Sequence, residues 1–82
     1  MTPEDIYAIV VRHTLEVMPE LGTHTFARSD RLQDLGANSV DRAEIVNLVL
    51  ETLGLRIARV DLFGPRNIGE LASVLHGKLH AG

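Results

Sequence analysis

Three stretches of this chain repeat apolar side chains every three or four residues, and that period commits it to helices. In the first, Ile6, Ile9, Val10, His13 and Val17 fall in one stripe. Thr2 is suited to cap it, Pro3 to the first helical position, and Glu4 and Asp5 to the positive helix end. Pro19 disfavours helical geometry in the residue before it, so this helix is expected to stop near Met18. The second is expected to run from Ser39 to about Leu53, halted by Gly54. Wound at about 100° per residue, Ile45, Val46, Val49, Leu50 and Leu53 form one broad arc for the core. Val40 falls instead among Glu44, Asn47 and Glu51 on the polar arc, with Ala43 on the border. The third, "NIGELASVLHGKL", has Asn67 and Glu70 at capping-box spacing, followed by Ile68, Leu71, Ala72, Leu75 and Leu79 in period.

The connections differ in kind. Residues 19–38 keep no period and hold prolines, glycines and short polar residues, a long loop for so small a chain. Leu21, Phe26, Leu32 and Leu35 are apolar pegs that should lay this loop across the helices. "LRIARVDLFGP", residues 55–65, reads as a short helical turn with Ile57, Val60, Leu62 and Phe63 as pegs, closed by Gly64-Pro65. The expected architecture is all-α: a small four-helix bundle of three longer helices and one short one, with the long loop between helices one and two. Eighty-two residues suffice for a single domain, 1–82, whose core gives only modest stability.

Eight basic and eleven acidic side chains give a net charge of −3. A phosphate-backbone binder needs a basic face, and a single-strand binder needs aromatic platforms, whereas aromatic residues are 4% of this chain. Nucleic acid is therefore not an expected partner. The chain has no cysteine, no run of eighteen apolar residues, and a start, "MTPEDIYA", without the basic residues of a signal peptide. A cytoplasmic monomer with no membrane partner is expected.

His76 and His80 share a helix face, but no cysteine and no neighbouring acid completes a ligand set, so no metal is expected. His13, inside an apolar stripe, reads as a core-edge histidine bonded to backbone or water. Ser39 as a hydrolase nucleophile would want a G-x-S-x-G turn after a strand; Val40 and Asp41 follow it and no strand precedes it. The chain is not expected to be an enzyme, and no residue is assigned a catalytic role. Two readings of Ser39 stay open on these grounds. It can cap helix two, a contribution of about 1 kcal/mol, or it can anchor a phosphodiester, which a helix start welcomes.

The stretch "DLGANSVDRAEIV", residues 34–46, resembles the phosphopantetheine attachment motif of acyl carrier proteins, with Leu35, Gly36, Ala37, Asn38 and Ser39 in the order of that motif. The likeness extends to the whole pattern of helices and loop. It implies a carrier without catalysis of its own. A phosphopantetheinyl transferase would move 4′-phosphopantetheine from coenzyme A onto Ser39, and an acyltransferase would supply the acyl group held as a thioester. Helix two would then be the recognition helix, turning Val40, Ala43 and Asn47 toward partners, with Asp41 and Glu44 offering charge. Asn38 in place of the usual aspartate, and Arg42 in place of a small or apolar residue, depart from the family pattern and lower negative charge on that face.

The same string is most similar to the discrete donor carriers of polyketide β-branching. The implied partners are an HMG-CoA-synthase-like enzyme and a decarboxylating ketosynthase-like enzyme that makes acetyl from malonyl. Acceptor carriers of such systems bear a tryptophan six residues after the serine, where this chain has Ile45. A general fatty-acid or polyketide carrier is the first alternative. A helical interaction domain using Ser39 only as a cap is the second.

Overall fold

A computed structural model describes residues 1–57 and 65–80. Among them lie three α-helices, α1 (Pro3–Val17), α2 (Ser39–Leu53) and α3 (Ile68–His80), and no strand. Most of the short helical turn expected over 55–65, including Val60, Leu62 and Phe63, lies outside the described residues.

Each helix begins on a reciprocal cap. At α1 the Asp5 N–H donates to Thr2 Oγ1 at 3.2 Å, and the Thr2 N–H donates to Asp5 Oδ2 at 2.9 Å. Asp5 therefore closes a capping box, a closer engagement than the helix-end charge it was expected to supply. At α3 the Glu70 N–H donates to Asn67 Oδ1 at 2.8 Å, while Asn67 Nδ2 donates to Glu70 Oε2 at 3.1 Å. Helix α1 stops at Val17, and Met18 takes a non-helical φ of −128° ahead of Pro19. Helix α2 ends on Gly54 at φ 67°, a left-handed position that glycine adopts without the Cβ penalty.

The core gathers Ile6 and Val10 of α1, Ile45 and Val49 of α2, and Ile68, Leu71, Ala72 and Leu75 of α3, all buried. Helix α1 is the common partner, packed against both of the others. His13 is also buried, and it differs from the expected backbone- or water-bonded residue. Its Nε2 lies 2.6 Å from Thr52 Oγ1 and its Nδ1 lies 3.0 Å from Glu16 Oε2, so the imidazole ties α1 to α2 through side chains. A buried polar ring needs such partners to offset its lost hydration.

The loop after α1 begins as a 3₁₀ turn over Pro19–Thr23, too short for any period to reveal. It then crosses the bundle, as its apolar pegs suggest: Phe26 and Leu32 pack against the core. Its backbone also completes α3, whose first amides would otherwise lack acceptors. The Ile68 N–H donates to Asp30 O and the Gly69 N–H to Arg28 O, both at 2.9 Å. The approach is so close that a Cβ on Gly69 would lie 2.8 Å from Arg28 Cβ and from Arg28 O. The Arg28 guanidinium reaches over the Tyr7 ring at 5.2 Å and donates to Glu4 Oε1 at 3.3 Å. Asp30 Oδ2 accepts the Ala27 N–H at 2.8 Å and lies 2.9 Å from His24 Nε2. The Ala27 amide first, and His24 second, hold the Asp30 carboxyl below its ordinary range.

Candidate functional site

Residues 31–38 deliver the chain to the start of α2. Gly36 has φ 100°, which L side chains rarely adopt, and the tight reversal there seats Ala37 in the interior at 3% exposure. Asn38 then takes extended backbone and caps the helix. Its Oδ1 accepts the Asp41 N–H at 2.8 Å, and Asp41 Oδ2 accepts the Asn38 N–H at 3.3 Å. The cap is thus Asn38, one residue earlier than the serine proposed for it. The physical reason is that Asn38 stands three residues before Asp41, the spacing at which both bonds of a capping box close.

Ser39 is left as the first helical residue, exposed at the surface. Among the described residues its hydroxyl takes no part in a cap. The first-turn amides of Ser39 and Val40 have no intrahelical acceptor, and the helix end carries partial positive charge. An anion bonded to Ser39 would meet both. The residues present therefore fit a phosphodiester at this hydroxyl: the nucleophilic oxygen is accessible, unengaged by the cap, and placed where negative charge is stabilised.

The residues expected to meet partners divide into two sets. Val40 is 70% exposed, and Glu44 and Asn47 are exposed beside it; with Leu48 and Glu51 they line a shallow surface depression that begins at Ser39. Ala43 is half-buried and borders this depression. Asn38, Asp41 and Arg42 are instead engaged within the chain. Asp41 closes the capping box, and Arg42 Nη1 donates to Ala37 O at 2.8 Å, pinning the loop end to the helix. The Arg42 N–H also donates to Asn38 O at 3.0 Å. The two departures from the family motif, Asn38 and Arg42, together build the local structure that presents Ser39.

On its other side Ser39 lines a cleft of about 470 Å³ between the end of the long loop, α2 and the start of α3. Arg31, Arg42 and Arg66 line it, over apolar Leu32, Ala43, Val46, Ile68 and Leu71. No motif flags Arg31 or Arg66, because they come from segments far apart in sequence and meet only through the fold. His76 and His80 stack at 4.4 Å between ring centroids, and among the described residues no group of three or more potential ligands could hold a metal. No described helix is long and apolar enough to cross a membrane.

A protein-family model for the phosphopantetheine attachment site matches residues 11–75. The polyketide biosynthesis acyl-carrier-protein AcpK of Bacillus subtilis (strain 168) is 48% identical over 81 residues, spanning 99% of this chain and 99% of AcpK. The fold superposes with a TM-score of 0.91 on a chain in the crystal structure of the curacin biosynthetic pathway HMG synthase in complex with acetyl donor-ACP. That likeness has 42% identity and covers 95% of this chain and all of the other. With a family match over most of its length and a relative nearly half identical from end to end, this chain belongs to the phosphopantetheine-attachment family of acyl carrier proteins, which bear 4′-phosphopantetheine covalently and carry acyl groups without catalysing their chemistry.

Proposed function

We propose that this chain is a discrete carrier of a polyketide pathway that presents an acetyl unit from Ser39 to an HMG-CoA-synthase-like enzyme during β-branching. The observation that carries the reading is the likeness to a chain of the HMG synthase–acetyl donor-ACP complex, at 42% identity across 95% of this chain. The match to AcpK, a polyketide carrier, supports the same pathway class. Bound at Ser39, the phosphopantetheine group supplies a thiol that holds the acyl unit as a thioester.

The chain's own residues do three things in this scheme. Asn38 and Asp41 fix the start of α2, so that the Ser39 hydroxyl is offered outward to a phosphopantetheinyl transferase. The free amides of Ser39 and Val40 stabilise the phosphodiester charge, an effect of roughly 0.3–1 kcal/mol at an exposed helix end. Val40, with Ala43, Glu44 and Asn47, gives partners an apolar contact edged by the exposed carboxylates of Glu44 and Glu51. An acyltransferase and a decarboxylating ketosynthase-like enzyme are the further partners proposed, as sources of the acyl unit.

The test is a transfer assay. Acetyl-loaded chain and an acetyl-loaded fatty-acid carrier are each mixed with an HMG-CoA-synthase-like enzyme, and acetylation of the synthase is followed by mass spectrometry. Transfer from this chain well above that from the fatty-acid carrier is expected. Equal transfer from the two would reduce the reading to a general acyl carrier.

A further inference from the structure

Two imidazoles lie side by side near the end of α3, apart from every group that serves Ser39. His76 and His80 stand four residues apart, about one turn of the helix, so their side chains share a face. Their rings are in contact, with centroids 4.4 Å apart and planes tilted by 43°. Lys78 falls between them in sequence but about 200° round the helix from each, on the opposite side.

Hydrogen bonding decides which ring nitrogens remain available. His80 Nε2 lies 3.2 Å from the carbonyl oxygen of Met1. A carbonyl only accepts, so Nε2 is the protonated nitrogen and the His80 lone pair is at Nδ1. Metal-ligating histidines are held in this way: one ring nitrogen donates to a backbone carbonyl, which fixes the tautomer and raises the basicity of the other. His76 makes its ring contact with His80 and, among the described residues, no hydrogen bond. The other two histidines are committed elsewhere, His13 to Glu16 and Thr52, and His24 to Asp30. The last turn of a helix also carries partial negative charge, which favours a cation.

We propose that His76 and His80 chelate a divalent ion of the zinc–copper class, to which imidazole is suited. Two protein ligands are fewer than the three or four of a resident zinc centre, so water completes the coordination and the ion is exchangeable. The helix has already brought the two rings together, which leaves little ordering cost for the ion to offset. A bound ion clamps the last turn of α3 around Leu79, which packs against the core, and the Met1 contact ties that turn to the start of the chain. The site is independent of Ser39 and of its arm.

The test titrates the unmodified chain with zinc chloride, copper sulfate or magnesium chloride at about pH 7.5, where imidazole is ordinarily neutral. Calorimetry should give one zinc or copper ion per chain and no binding of magnesium. At about ten times the measured Kd the folded-to-unfolded ratio should rise about elevenfold, a Tm increase on the order of 5–10 °C. His76→Gln and His80→Gln, the latter at an exposed position, should each abolish both effects, whereas His24→Gln should keep them. Copper(II), being paramagnetic, should broaden the amide signals of residues 76–80 first in a ¹⁵N spectrum. No zinc or copper binding, binding that survives in His80→Gln, or broadening centred on His13 or His24 would overturn the proposal. Half an ion per chain together with a doubled mass would place the ion between two copies and refute a chelate within one chain.

Discussion

Replacing Asn38 and replacing Ser39 should have opposite consequences for stability and for modification. The Asn38 side chain accepts the Asp41 amide at 2.8 Å and its own amide is bonded by Asp41, so Asn38→Ala removes one half of the box and loosens the other. Loss of an N-cap side chain costs about 1 kcal/mol, with a span of roughly 0.5–2. For a chain of this size each 1 kcal/mol moves Tm by about 4–8 °C. Asn38→Ala should therefore melt about 4–8 °C below the native protein. Ser39 is exposed and takes no part in the cap, so Ser39→Ala should stay within about 0.5 kcal/mol of native, as exposed sites usually do. Thermal unfolding of the unmodified proteins, followed by far-UV circular dichroism, reads both. A double-mutant cycle with Asp41→Ala should show coupling between residues 38 and 41 and none between 39 and 41. If Ser39→Ala melts as low as Asn38→Ala, or if Asn38→Ala leaves Tm unchanged, the separation of cap from attachment site is wrong.

Two glycines of α3 should respond to alanine in opposite senses. Gly69→Ala forces a Cβ to within 2.8 Å of the Arg28 backbone and should cost about 1–3 kcal/mol, whereas Gly77 has nothing within 4 Å and Gly77→Ala should gain up to about 1 kcal/mol; urea titrations of both variants decide it. Arg42→Met strips the charged donor from Ala37 O and should cost roughly 1–3 kcal/mol in the same titration, with the loop before Ser39 losing amide-exchange protection. Asp30 has a folded pKa below its unfolded value near 3.9, so its contribution is complete above about pH 4 and is lost as pH falls through the lower folded value. Melting curves taken from neutral to acid pH should show this decline in the native chain and a flatter acid limb in Asp30→Asn.

The helices were legible because their signals are local. Pro3, Pro19 and Gly54 punctuate the chain, Asn67 and Glu70 announce α3, and the apolar stripes agree with the buried residues of all three helices. The attachment motif likewise placed Ser39 at the head of α2. Ser39 stays open as a cap in the sequence because two cap-competent residues, Asn38 and Ser39, stand side by side at the same helix start, and the structure gives the cap to Asn38. The deciding signal was present: Asn38 and Asp41 repeat the spacing of Asn67 and Glu70. Other features depend on the fold and leave no trace in periodicity. Thr52 reaches His13 only because α1 and α2 pack together. Arg42 turns back to Ala37 rather than outward. Arg31 and Arg66 become neighbours of one cleft only when the loop and α3 close over α2.

The claim that Ser39 bears the arm is tested most directly by mass. The native chain, Asn38→Ala and Ser39→Ala are incubated with coenzyme A and a broad-specificity phosphopantetheinyl transferase, and the modified residue is located by fragmentation. The native chain should gain one phosphopantetheine on Ser39, Asn38→Ala should still accept it, and Ser39→Ala should gain nothing. A native chain that gains no mass, or a Ser39→Ala chain that does, would contradict the account.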